Sequence, residues 1–223
     1  MTITYVDTLA SSSVSAAGFS PSVPGWVEDG QLLLTLLSIG NGESLTAIPD
    51  DWFEIGTSVS PYVDWWHLYG KVADGEAGNY TWTWETAQKC RIQLVGYSGD
   101  FNKSNPIGNV SNSSYITSDT TLRAASFNVP KANSDIIFVG GVYYSSSMSF
   151  TPPSNPGSFT EDIDAGDITA DLWNTFAHYN WSGNGATGNI DATMSISTGS
   201  KHAFAFNLNQ MGVGVGALLG GGF

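Results

Sequence analysis

Residues 63–99 read VDWWHLYGKVADGEAGNYTWTWETAQKCRIQLVGYSG. The apolar runs WWHLYGKV, NYTWTWE and KCRIQLVGYSG, with turn signals between them, predict three consecutive strands. Trp65, Trp66, Trp82 and Trp84 lie here and Trp52 just upstream, five of the eight tryptophans in the chain. Between Tyr80 and Glu85 the alternation is strict: Tyr80, Trp82 and Trp84 point one way and Thr81, Thr83 and Glu85 the other, because strand side chains repeat every two residues. Cys90, Ile92 and Leu94 then share a face, with Lys89, Arg91 and Gln93 opposite. A sheet with one apolar face buries it against another layer, so the rest of the chain is expected to supply that layer.

Working outward, Ile3 to Leu9 reads as a first strand, followed by a Ser/Ala-rich connector from Ala10 to Gly18 and a turn region at Pro21, Pro24 and Gly25. Gln31 to Leu37 is apolar on both faces, as in a strand covered on each side, and Gly40 to Gly42 breaks it. Pro49 to Trp52 forms a turn ending on an aromatic anchor. Asp100 to Ser118 and Ser145 to Ser158 read as loops, dense in Asn, Ser, Gly and Pro. Between them Arg123 to Val129 alternates, and Asp135 to Tyr144 is a strongly apolar strand in which Gly140 and Gly141 signal a bulge or a close backbone approach. Leu172 to Trp181 fits both periods and is assigned as a strand from its neighbours; Ile190 to Ser197 and His202 to Leu208 complete the set. His202, Phe204, Phe206 and Leu208 share one face. The prediction is an all-β fold, a β-sandwich of jelly-roll or immunoglobulin-like type with about eight to ten strands, rather than a barrel.

Composition agrees. Hydrophobic residues at 41% and aromatics at 13% of the 223 positions suffice for a real core. Charged residues are only 12%, which argues against long solvated helices. Seven Lys and Arg against twenty Asp and Glu give a net charge of −13, a poor endowment for gripping phosphate backbones or anionic lipid. The acidity serves solubility and mutual repulsion. Cys90 is the only cysteine, so an intrachain disulfide is excluded, and on the apolar face of its strand it acts as a small hydrophobe. The first residues lack a basic start and a long apolar run, and no stretch reaches the ~20 apolar residues of a membrane span, so a product made in the cytoplasm is expected.

From Met211 the composition changes to MGVGVGALLGGGF, uncharged and rich in glycine. The expected organisation is a sandwich domain over 1–210 and a tail over 211–223 that docks either on its own sandwich or, the reading preferred, on a neighbouring chain. Val213, Val215, Leu218, Leu219 and Phe223 are the candidate partner-binding residues.

Candidate chemistry is sparse. His67, His178 and His202 have no metal-ligand spacing and read as structural. Gly96-Tyr97-Ser98-Gly99 falls one residue short of a nucleophile elbow and reads as a turn. Glu161, Asp162, Asp164, Asp167 and Asp171 form the densest acidic cluster. Asp162, Asp164 and Asp167 could offer oxygens to calcium, but glycine falls at Gly166 rather than at the EF-hand turn position, and the segment reads as a solvated acidic loop. Glu76 and Glu85 are the only pair worth weighing for glycoside hydrolysis. Trp65, Trp66, Trp82 and Trp84 could form a sugar-stacking platform, although their alternation favours core filling. Trp65 and Trp66 face opposite sides, so only one of them fills a given core. The Asn-x-Ser/Thr sequons at Asn79, Asn102, Asn109, Asn112 and Asn180 read as polar strand and loop composition. No cofactor or metal is expected.

The order GQLLLTLLS, AIPDDW, WWHLYGKVADGEAGNYTWTW, then LVGYSG followed by NPIG, resembles a β-sandwich module of tailed-bacteriophage virion proteins: head decoration or cement, tail-associated and fibre proteins, and some bacterial surface proteins. Gly30-Gln31-Leu32 stands where Gly-Asp-Leu is usual and Asp51-Trp52 replaces Gly-Trp, while Asp74-Gly75-Glu76 and Tyr97-Ser98-Gly99 match the pattern. GNGATGNIDATMS resembles the late part of the module, so the likeness runs from Gly30 to Leu208. Its motifs are packing and turn signals and transfer no catalytic residue. The resemblance implies a non-enzymatic virion structural protein, assembled in the host cytoplasm, whose partners are copies of itself and other phage virion proteins, the major capsid protein first among them. A receptor- or glycan-binding head using the loops Asp100–Ser118 and Ser145–Ser158 is the alternative, and a polysaccharide-cleaving enzyme a third.

Overall fold

A strand that is apolar on both faces has to lie between two other layers, and this chain contains several. The computed structural model describes residues 2–59, 65–115 and 117–211. In chain order the strands are β1 (Ile3–Phe19), β2 (Leu32–Ile39), β3 (Leu45–Ala47), β4 (Phe53–Val59), β5 (Trp65–Val72), β6 (Trp82–Gly99), β7 (Ile107–Tyr115) and β8 (Asp119–Ala124). They continue with β9 (Asn128–Val129), β10 (Ser134–Tyr143), β11 (Phe150–Thr151), β12 (Thr160–Asp167), β13 (Leu172–Trp181), β14 (Gly185–Ala186), β15 (Ile190–Thr198) and β16 (Lys201–Leu208). All their pairings are antiparallel.

The strands form three stacked sheets. A front sheet runs β1-β6-β2-β5-β4 with β3 also on β6, a middle sheet runs β12-β13-β10-β16-β7, and a back sheet runs β11-β15-β8; β9 and β14 make a small separate pair. Front and middle sheets lie strand over strand, with β6 against β13, β2 against β10 and β4 against β7. Leu32, Leu34, Leu36, Trp66 and Tyr97 of the front sheet there meet Ile137, Val139, Phe176, Phe204 and Phe206 of the middle one. On the other side of the middle sheet, Ile136, Phe138, Val142 and Ala205 pack against Leu122, Ile190, Ala192 and Met194. The outer face of the front sheet is covered as well: Leu33, Leu37, Ile92 and Leu94 pack with Trp52, Tyr80, Trp82 and Trp84. Trp52 meets Tyr80 and Trp82 edge-on with ring centroids 5.2 Å apart, the favoured geometry for aromatic quadrupoles.

The all-β sandwich prediction holds, and Leu172–Trp181 is the predicted strand. Several finer expectations are corrected. Among the described residues sixteen strands replace eight to ten, since β3, β4, β7, β11, β12 and β14 lie outside the predicted strands. The predicted connector Ala10–Gly18 belongs to β1, a 17-residue strand that follows β6 almost throughout. The second and third predicted strands of the opening stretch are one continuous 18-residue strand, β6. The predicted loop Asp100–Ser118 contains β7, and the predicted acidic loop is largely β12. Arg91 and Gln93, expected on an outer polar face, are 5% and 1% exposed between the sheets.

Gly140 and Gly141 report a close approach rather than a bulge, since β10 pairs with β13 without a register shift. A Cβ on Gly140 would lie 2.3 Å from Leu122 of the back sheet, and one on Gly141 would lie 2.2 Å from the indole nitrogen of Trp66 in the front sheet. Consecutive strand residues face opposite ways, so the pair admits one large side chain from each neighbouring layer. Gly141→Ala is expected to lower unfolding free energy by about 2 kcal/mol through overpacking. Urea titration should show the loss, and Trp66→Phe in the same chain should recover part of it.

Candidate binding and inter-sheet sites

The acidic run is not a solvated loop. In β12, Ile163 and Ala165 pack into the core between front and middle sheets, and that inward face continues to Asp167. Asp167 accepts a hydrogen bond from the Ser12 hydroxyl of β1. Asp162 accepts one from the Tyr97 hydroxyl of β6 at 2.7 Å and lies 2.8 Å from Nδ1 of His178 on β13. Asp171, at the turn before β13, takes the ammonium of Lys89 and the Tyr143 hydroxyl. Asp164 points the other way and accepts from the backbone N–H of Phe150 in the back sheet, at 3.1 Å. With Ser38 donating to Asn174 at 3.1 Å, these bonds pin the three sheets to one another along one side of the stack.

The electrostatics follow from this sewing. Ser12 and Thr169 stabilise the Asp167 carboxylate and hold its pKa down at about 2. Burial, reinforced by the Asp162 charge, pushes the Tyr97 phenol well above its ordinary value, so the phenol stays a donor. Burial raises Asp164, opposed by the Phe150 N–H, and raises Glu161, helped by Asp164 and Asp162. Burial also lowers Arg91, which the Asp167 charge offsets in part. Among the described residues no group of three or more His, Cys, Asp or Glu side chains is placed to hold a metal ion. Asp162, Asp164 and Asp167 go to separate partners.

The histidines are scattered. His67 sits between Trp65 and Tyr69, with Nδ1 3.1 Å from the Thr57 hydroxyl, and burial lowers its pKa. His202 stacks on Trp66 with centroids 6.1 Å apart, is 1% exposed, and is lowered to about 3 by burial. His178 belongs to the Asp162 cluster. Trp66 fills the core between sheets while Trp65 is half-buried on the opposite face, and Trp82 and Trp84 are core.

Glu76 and Glu85 are not brought together. Glu76 clamps its own turn, 3.1 Å from the Lys71 ammonium and 2.9 Å from the Tyr80 hydroxyl. Glu85 is exposed and faces Glu43 across a shallow pocket with Ser44, Leu45 and Thr46. Val213, Val215, Leu218, Leu219 and Phe223 lie outside the described residues.

Further open clefts are lined by other residues. One, of about 520 Å³, is bounded by Asp51, Phe53, Glu54, Val72 and the 103–107 segment. It adjoins a second pocket through Val72, Lys103 and Ser104, which adds Asp29 and Asp74. The Lys103 ammonium lies over Gly30, where a Cβ would come within 2.2 Å of it. Another cleft, of about 390 Å³, is lined by Ser118, Tyr143, Tyr144, Ser145, Thr198, Gly199 and Ser200. No charged side chain among the described residues lines it. Comparison with family models, curated proteins and solved structures finds no match to this chain.

The Tyr97–Asp162–His178 cluster escaped sequence reading. Its one signal is the alternation of Ile163, Ala165 and Asp167, which marks a strand where acids alone suggest a loop. Asp162→Ala strands a buried phenol and is expected to destabilise the fold by about 3 kcal/mol. Adding Tyr97→Phe should cost less than the two single losses combined, by about 1 kcal/mol or more in a denaturation cycle. His202 gives a pH prediction. Its pKa is depressed in the folded chain, so the unfolded chain binds more protons below about 6.5 and stability falls as pH drops from there toward 3. Between pH 7 and 5 the loss from this residue is expected to be about 2 kcal/mol, and His202→Leu should show a correspondingly flatter dependence of unfolding midpoint on pH.

Proposed function

We propose that the chain is a virion structural protein of the capsid decoration or cement type, binding a repeating particle surface as one of many copies and stabilising it by contact. The observation that supports this reading most directly is the three-sheet block. Its middle layer is covered on both faces, and the acids with most chemical potential are spent on tying layers together. A protein that reinforces a lattice needs such a body, since rigid units transmit load between contacts without opening. The virion context comes from the sequence resemblance over Gly30–Leu208. Many weak, identical contacts along a lattice would raise avidity without one strong site.

The alternative, a glycan-binding head at a tail or fibre tip, is favoured by the uncharged cleft of Tyr143 and Tyr144. It takes Ser118 and Ser145 from the edges of the two segments expected to carry recognition. Tyrosine offers a sugar both an apolar face and a hydroxyl. A glycan array separates the readings: selective binding abolished by Tyr144→Ala supports the head, and silence across the array supports the cement.

Removing Gly212–Phe223 is expected to abolish binding to particles while leaving the folded domain intact, read by co-sedimentation beside circular dichroism. Undiminished co-sedimentation of the shortened chain sinks the tail as the clamp. Purified particles should carry the protein in hundreds of copies, on the order of the lattice sites available.

A further inference from the structure

β1 is an edge strand of the front sheet. Among the described residues it pairs with β6 alone, and of its seventeen residues only Ile3 is buried. Unpaired strand edges template further pairing, and proteins usually blunt them with charge, proline or bulges. Two other long edges are blunted, since β12 carries Glu161, Asp162, Asp164 and Asp167, and β4 carries Glu54 next to a register shift. The uncharged edge β7 is met by the following chain instead, Asn109 donating to the Asn128 carbonyl and the Ala125 N–H to the Ser113 hydroxyl. β1 has register shifts too, but they flank a regular run from Thr8 to Ser13, paired residue for residue with Val95 to Cys90. That run has no proline, and no charged side chain occurs between Thr8 and Val27 in a chain of net charge −13.

We propose that Thr8–Ser13 is an acceptor edge for the segment Val213–Leu218 of a second copy, which adds to the front sheet as a further strand. The pairing rests on the lattice reading above only in its choice of a second copy. The segment matches the edge in three respects. Both are uncharged runs of six residues. Val213, Val215 and Ala217 alternate with Gly212, Gly214 and Gly216, a period-two pattern whose sides differ in bulk. The edge asks for that difference: Ser12 is bonded to Asp167 on its inward side, so the sheets close there and leave room for glycine, whereas Leu9 packs on the outer apolar face, where valine extends it.

Distance favours a second copy over the chain's own tail. The described chain ends beside Asn102, Ala132 and Pro106, at the end of the stack where β1 begins. Reaching its own Thr8 means crossing three strand spacings and one sheet separation and then climbing part of β1, about 25 Å in all. That would consume roughly seven residues, and with them the alternating run.

Two measurements on purified protein test this apart from any particle. Hydrogen exchange is compared at matched high concentration between the full chain and a chain ending at Met211. Removal of the tail is expected to speed exchange of the β1 amides facing away from β6 by about ten-fold or more, with β10 unchanged. Equal β1 exchange in the two chains overturns the proposal even if the tail proves essential for particle binding. Separately, Ser11→Cys and Val215→Cys chains, each otherwise wild type, are mixed and oxidised. Ser11 is exposed within the regular run and shares the Leu9 face, on which the proposal places Val215. A disulfide between the two variant chains supports docking on a second copy; crosslinking only within a chain carrying both substitutions overturns it.

Discussion

A strand buried on both faces has no margin for misplacement, and β10 is that strand. From Ser134 to Val142 every residue is buried. Odd positions meet the front sheet and even ones the back sheet, so slipping by one residue would exchange the two cores. Gly140 and Gly141 make the register still tighter. Each is the only residue type whose vacancy matches the side chain arriving from its layer, Leu122 on one side and Trp66 on the other. The outer sheets are thus keyed to one strand from opposite directions.

The polar groups between front and middle sheets act on the same problem laterally. Apolar packing is tolerant of sliding, because dispersion has little directional preference. Hydrogen bonds such as Ser38–Asn174 and Tyr97–Asp162 have partners only when strand lies over strand. Burying carboxylates this way is costly, and replacing the bonds by well-packed apolar groups is often neutral or better for stability. Their contribution is better understood as alignment, with Asp162, at 2% side-chain exposure, satisfied by Tyr97 and His178 together.

Much of this was legible from residues alone where side chains obey the period of two. Tyr80–Glu85 and His202–Leu208 have the faces that alternation assigns them, and Gln31–Leu37 is covered on both sides as its composition requires. What stayed hidden depends on partners distant in the chain. The second half of β1 looks like a linker because an edge strand needs little apolar surface, and its pairing is dictated by β6 about eighty residues later. The acids of the 161–171 run look solvated because Ser12, Lys89 and Tyr97 are remote in sequence. The third sheet escaped notice for the same reason: Asp119–Ala124 and Phe150–Thr151 become strands only by pairing with β15. Local pattern reveals a face, and only the assembled chain reveals what covers it.

Turning acids inward also shapes what is left outside. Copies carrying −13 repel at long range, and salt of physiological strength screens that repulsion over about 8 Å. Close contact is therefore least opposed where a surface carries no charge and still has something to offer. The β1 edge answers both needs, offering backbone donors and acceptors that are indifferent to net charge. Repulsion elsewhere then restricts the geometries in which two copies could meet. The inward carboxylates and the uncharged edge are consequences of a single arrangement: charge serves inside for alignment and outside for exclusion, and the pairing proposed for β1 would leave adhesion to the backbone.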